Sequence, residues 1–173
     1  DFTRDVKLLK EAIDSTVAEG GTALYDALFA AFRKLKDTKG RKHIVILSDG
    51  EDTNSKFSYQ RALEAAKTNE VLIYSIGLGI SVLDVGAHSV LKELAEETGG
   101  RSFFPGKAED LEGVYQQISE ELRSQYYLSY SPTNEDWNGK WRKIRLSVQR
   151  KKDVDVRTRK GYYAVRRSLA PSP

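Results

Sequence analysis

His43-Ile44-Val45-Ile46-Leu47-Ser48-Asp49-Gly50-Glu51-Asp52 is the stretch on which the reading of this chain turns. Ile44 to Leu47 is an uninterrupted apolar run rich in β-branched residues. A strand with one wet face would alternate; a continuous run predicts a strand covered on both faces, as in a parallel sheet. It stops at Ser48-Asp49-Gly50. A polar loop, Glu51 to Lys56, leads to a predicted helix around Tyr59 to Lys67. Val71 to Leu78 is then a second strand of the same kind. Strands separated by helical segments predict crossover connections and a parallel sheet.

Outward from this centre the pattern continues. Upstream, Val6, Leu9, Ile13 and Val17 recur at helical spacing, and Gly20-Gly21 ends that segment. A second helix is predicted from Thr22 to about Lys36, with Leu24, Leu28, Ala31, Phe32 and Leu35 on its apolar stripe. Downstream come a helix at about Ser89 to Glu97 closed by Gly99-Gly100, a short strand at Ser102-Phe103-Phe104, and a helix at about Glu109 to Ser124. The last packs through Leu111, Val114, Tyr115, Ile118 and Leu122. Helix–strand alternation then stops. Tyr126 to Tyr130, the alternating Trp141 to Val148, Val154 with Val156, and Tyr162-Tyr163-Ala164 predict short strands. Pro132 to Lys140, with Asn138-Gly139, and Lys151-Lys152-Asp153 are their connectors. Residues 1–125 therefore read as α/β, 126–165 as an antiparallel β meander, and 166–173 as a flexible tail.

The chain has 173 residues, of which 39% are hydrophobic and 31% charged. Roughly 70% of the unfolded surface can be buried at this length, so a core forms without staples. No apolar run reaches the length of about 18 residues that a membrane-spanning helix needs. The absence of cysteine excludes disulfides, thiolate zinc sites, iron–sulfur clusters and cysteine nucleophiles. The absence of methionine predicts a piece of a longer translation product. The net charge of +3 conceals a split: residues 1–135 carry 16 basic and 22 acidic groups, residues 136–173 carry 12 basic and 3 acidic.

Two segments have the composition for chemistry. Asp49, Glu51 and Asp52 cluster at a strand tip, where open α/β sheets bind ligands. Hard carboxylate oxygens suit magnesium, calcium or manganese, and a solvated acidic turn is the alternative. Gly20-Gly21-Thr22 places a hydroxyl at a loop–helix junction, where it serves as an N-cap or as a ligand to an ion. A third segment interleaves Arg142, Arg145, Arg157, Arg159 and Lys160 with Trp137, Trp141, Tyr162 and Tyr163. With no nucleic-acid-binding motif beside it, this is read as the wet and packed faces of a sheet. His43 opens a strand and His88 precedes a helix; both are read as structural.

Gly20-Gly21-Thr22-Ala23-Leu24-Tyr25-Asp26-Ala27-Leu28, followed by an apolar strand ending in Leu47-Ser48-Asp49-Gly50-Glu51-Asp52, resembles the von Willebrand factor type A (VWA) domain. Tyr74 to Gly79, the Leu91 to Gly100 helix, Gln125 to Tyr130 and Arg157 to Ala164 are similar to a bacterial VWA-related subfamily with a small C-terminal β extension. The resemblance implies a Rossmann-like three-layer sandwich and a metal-ion-dependent adhesion site. That site takes an Asp-x-Ser-x-Ser motif from the family's first strand, a threonine and an aspartate. By match, Thr22 is the threonine and Asp49 the aspartate, with Mg2+, Mn2+ or Ca2+ as the ion. The Asp-x-Ser-x-Ser motif is absent; Asp1-Phe2-Thr3-Arg4-Asp5 precedes a helix and does not supply it. The chain is expected to begin after the family's first three strands.

The expected function is a non-catalytic protein-binding or adhesion module in a secreted or cell-envelope setting. It depends on a divalent cation if residues outside this chain complete the site. A metal-dependent hydrolase using Asp49, Glu51 and Asp52, or an interaction protein with a dead metal site, are the alternatives. Without the family's first strand, the edge of strand 43–48 is left open, so a second chain or a second copy is expected to cover it. Neither nucleic acid nor a membrane span is expected.

Overall fold

The computed structural model describes residues 2–80, 84–149 and 155–165. The predicted tail, the Lys151-Lys152-Asp153 turn and Val154 lie outside them. In chain order the elements are α1 (Val6–Asp14), α2 (Leu24–Leu35), β1 (His43–Ser48), α3 (Tyr59–Thr68), β2 (Leu72–Gly77), α4 (Val85–Thr98), β3 (Ser102–Phe103), a 3-10 turn (Ala108–Asp110), α5 (Leu111–Ser124), β4 (Trp141–Lys143) and β5 (Gly161–Tyr163).

β1, β2 and β3 form a parallel sheet in that order, with Ile44 beside Ile73 and Leu47 beside Ile76. The pleat sends alternate residues to opposite faces. On one face Ile46 and Ile73 meet Leu24, Leu28 and Phe32 of α2, Leu63 and Ala66 of α3, and Leu91 and Leu94 of α4. On the other, Tyr74, Ile76 and Phe103 meet Val114 and Ile118 of α5. Helices, sheet and helix give the three layers expected of an α/β sandwich.

Coverage is uneven. β2 is buried along nearly its whole length, whereas Val45 and Leu47 of β1 remain 43% and 50% exposed. The expectation of a strand covered on both faces thus holds for β2 and fails for β1. α5 lies over β2 and β3, and among the described residues β1 is an edge strand beside β2. α1 follows its predicted apolar spacing and is capped by Asp5, whose carboxylate accepts from the Lys7 and Leu8 N–H groups. It buries no residue, and Val6, Leu9 and Ile13 stay exposed.

The C-terminal part is less regular than expected. Tyr126 to Tyr130 joins no ladder, and Tyr126 and Tyr127 are almost fully exposed. The Trp141–Val148 strand shrinks to β4, which pairs antiparallel with β5 through Trp141–Tyr163 and Lys143–Gly161. This ribbon rests on the α/β part. Tyr163 donates to Glu64 of α3, the Lys67 ammonium sits 5.6 Å over the Trp141 ring, and Ala164 is fully buried.

Candidate functional site

The site forms where β1 runs out. Gly50 follows Asp49 with φ of +82°, a conformation that side-chain-bearing residues rarely adopt, and a Cβ there would lie 2.9 Å from the Ala87 carbonyl oxygen. This glycine turns the chain sharply beneath the start of α4. Around the turn the short polar groups satisfy one another. The Ser48 hydroxyl accepts from Gly50 N–H at 3.1 Å, and Asp49 Oδ1 accepts from Glu51 N–H at 3.1 Å. Asp49 itself is exposed.

The loop that follows clasps the start of α2. Thr22 C=O accepts from Thr53 N–H at 2.8 Å and Asn54 N–H at 2.9 Å, and Thr22 N–H donates to Thr53 Oγ1 at 2.9 Å. A Cβ on Gly21 would sit 2.5 Å from that same Thr53 oxygen, so the two loops meet only because a glycine stands there. Asp52 Oδ2 accepts from Tyr25 N–H at 3.0 Å and from the Ser55 hydroxyl at 2.6 Å, while Oδ1 accepts from Ser55 N–H at 3.0 Å. Asp26 returns the clasp: its Oδ1 accepts from the Lys56 and Phe57 N–H groups.

These bonds divide the acidic cluster. Thr22 is not the N-cap of α2; Ala23 holds that position with no side-chain bond, and Asp52 serves the orphan Tyr25 donor from another loop. Burial alone would push the Asp52 carboxyl up. The Ser55 hydroxyl and the Tyr25, Ser55 and Leu24 N–H groups outweigh that and hold it below the ordinary aspartate range. Asp52 is therefore engaged in structure. Thr22 is anchored by its backbone, and the residue is exposed.

Thr22 and Asp49, matched separately from the sequence, come together. With Leu47, Ser48 and Leu78 they line one open cleft of about 410 Å³ at the C-terminal end of the parallel strands. A hydroxyl and a carboxylate are hard oxygen donors of the kind a magnesium ion takes while keeping several waters. They amount to a partial shell: among the described residues no three His, Cys, Asp or Glu side chains gather as a metal-binding group. Asp49, Glu51 and Asp52 accordingly do not form the carboxylate cluster that metal-assisted hydrolysis would need.

The other candidates are placed elsewhere. His43 Nε2 lies 3.1 Å from Gln125 Oε1. His88 is inside the first turn of α4 rather than before it, its ring tilted against Phe104 with centroids 4.2 Å apart. Several cations of the C-terminal part pair within their own chain. Arg157 pairs with Glu121 at 2.7 Å and Arg159 with Glu70 at 2.9 Å. The Arg142 guanidinium lies over Trp137 and donates to Asn134 C=O at 2.6 Å. The Asp26 and Asp52 clasp escaped the sequence reading, because its partners are 27 to 31 residues apart.

The sequence profile of the family described as von Willebrand factor type A domain matches residues 1–117. No curated protein sequence matches the chain. Among solved structures it is similar to one titled as an uncharacterized membrane spanning protein from Vibrio fischeri. The two are 26% identical, with a TM-score of 0.42, and the match covers 68% of this chain and 67% of that one. A profile match over more than half of the sequence, on a parallel sheet with helices on both faces, makes this chain a member of the von Willebrand factor type A domain family.

Proposed function

We propose that the chain is a protein-binding module, of adhesion type, whose cleft at Thr22 and Asp49 takes a divalent cation. The single observation that supports this reading is that Thr22 and Asp49, 27 residues apart in sequence, line one open cleft. Asp49 would supply the charge and Thr22 a neutral oxygen. The remaining positions would go to water, to residues outside this chain, and to an acidic group of the partner. The ion's contribution is to attract and orient that acidic group. No reaction step is assigned to Asp49, Glu51 or Asp52, because Asp52 is held by the α2 clasp. We further assign the module to a secreted or cell-envelope protein.

Calorimetric titration of magnesium and of manganese into the chain tests the cation. Heat of binding is expected for the wild type, absent in Asp49→Ala and reduced in Thr22→Ala. Identical heats in the wild type and Asp49→Ala would remove the ion, and a partner bound equally well in chelator would leave an interaction module with a dead metal site.

A further inference from the structure

We propose that the basic pole of the α/β part, where α2 ends and β1 begins, docks on a membrane surface rich in anionic phospholipid. This reading does not depend on the cation. Residues 33–42 carry six basic groups and one acidic, whereas the rest of residues 1–135 carries 10 basic and 21 acidic. The run closes α2 and leads into β1, so it lies at the opposite end of that strand from the exposed Asp49 and Glu51. The six residues of β1 set the two poles about 20 Å apart, at about 3.3 Å per residue. That exceeds two screening lengths of about 8 Å at physiological salt, so an anionic surface at the basic pole scarcely feels the acidic one.

Two observations set this run apart from an ordinary wet face. The first is that its cations lack carboxylates. Among the described residues Arg33, Lys36, Lys39, Arg41 and Lys42 form no ion pair. Arg41 donates instead to Leu122 C=O at 3.3 Å, and Lys42 to Lys36 C=O at 2.9 Å. Elsewhere Arg101 and Arg157 share Glu121, and Lys160 meets Glu96. The second is that the Arg41 bond brings the end of α5 to the same pole and adds the exposed Arg123. Cations in the last turns of α2 and α5 answer the carbonyl ends of those helices. Lys39, Arg41 and Lys42 lie beyond either helix. The run has no aromatic ring to stack a base, and its one large apolar side chain, Leu35, packs on the core rather than offering an anchor to a folded partner. What remains is charge alone, which suits a fluid anionic surface whose headgroups move to meet scattered cations.

Cosedimentation with vesicles tests this, using phosphatidylcholine alone and an equal mixture with phosphatidylglycerol. Binding is expected to the mixture only, and is expected to fall away as sodium chloride is raised. Lys39→Gln alone is expected to lower partitioning about fivefold, and Arg33→Gln, Lys36→Gln and Lys39→Gln together about a hundredfold. The same charge removed elsewhere, by Lys107→Gln, Lys140→Gln and Lys143→Gln together, is expected to leave it nearly unchanged, with both triple variants matching the wild type in circular dichroism. Equal losses in the two triples would reduce the effect to net charge and overturn the pole. A wild type that ignores the mixed vesicles, or binds neutral ones as well, overturns the proposal. So does binding to a DNA duplex that is tighter than to vesicles and lost in the first triple, which would assign the pole to nucleic acid.

Discussion

Asp52 shows how a residue's neighbours decide its work. In sequence it belongs with Asp49 and Glu51, three carboxylates within four residues. In the fold its two oxygens receive the Tyr25 and Ser55 N–H groups and the Ser55 hydroxyl. It thus acts as an N-cap delivered from a distance, and loss of a cap costs about 1 kcal/mol. Asp52→Ala is expected to lower the free energy of unfolding by about that amount in a urea titration, while Glu51→Ala leaves it within the error of the fit. The same bonds set a pH dependence. The folded-state carboxyl titrates below its unfolded value, so its contribution is fully present above about pH 4. It is lost as the pH falls through the lower folded value. Urea midpoints of the wild type and Asp52→Ala should therefore converge on acidification below pH 4; a gap that stays constant would refute the assignment. Asp49 has no such duties beyond Glu51 N–H and the Ser48 hydroxyl, which is why the proposed site uses it rather than Asp52.

At the scale of elements, the turn after β1 packs against α4 through one glycine. Gly50 sits with positive φ against the Ala87 backbone, so Gly50→Ala combines a left-handed alanine with a clash against the main chain. Together these cost about 2–4 kcal/mol. The variant is expected to unfold at a correspondingly lower urea concentration, and one equal in stability to the wild type would show that the turn relaxes freely. The same contrast explains what the sequence could disclose. β1, β2 and their crossover helices announce themselves through local pattern: apolar runs of strand length and stripes at helical spacing, each carried by residues close together in the chain. The cleft was half legible, since Thr22 and Asp49 fall in motifs that can be matched one by one. The Asp26–Asp52 clasp was not, because no local pattern marks an N–H group waiting for a carboxylate from another loop. Tyr126 to Tyr130 misled for the opposite reason. Its aromatics have high strand propensity, yet that preference expresses packing against neighbours, and here Tyr126, Tyr127 and Leu128 have no ladder to join.

For the whole molecule, the question is whether the β4–β5 ribbon is an independent appendage. An isolated two-stranded ribbon is marginal in water, and this one has a ladder of three residue pairs extended only by bonds from Ala164 N–H to Lys140 C=O, Gly139 N–H to Ala164 C=O and Ile144 N–H to Lys160 C=O. What holds it is the α/β part. Tyr163 bonds to Glu64, Lys67 covers Trp141, Lys160 N–H donates to Glu97 C=O at 3.3 Å, and Ala164 is sealed from solvent. Arg157 joins Arg101 on Glu121 of α5. Burial would raise the Glu121 carboxyl, and the two guanidiniums draw it below the usual glutamate range instead. The ribbon should therefore unfold with the body, in one transition. The chain supplies its own probes: both tryptophans, Trp137 and Trp141, lie in the C-terminal part, whereas α1 to α5 all precede it. Tryptophan fluorescence then follows the ribbon, and far-ultraviolet circular dichroism follows the helices. Their urea midpoints are expected to coincide in the wild type, and Glu121→Ala is expected to move the fluorescence midpoint below the dichroism midpoint by freeing Arg157. A wild-type fluorescence transition that precedes the loss of helix would mean that the ribbon melts by itself, and that its contacts with α3 and α5 contribute little to holding it.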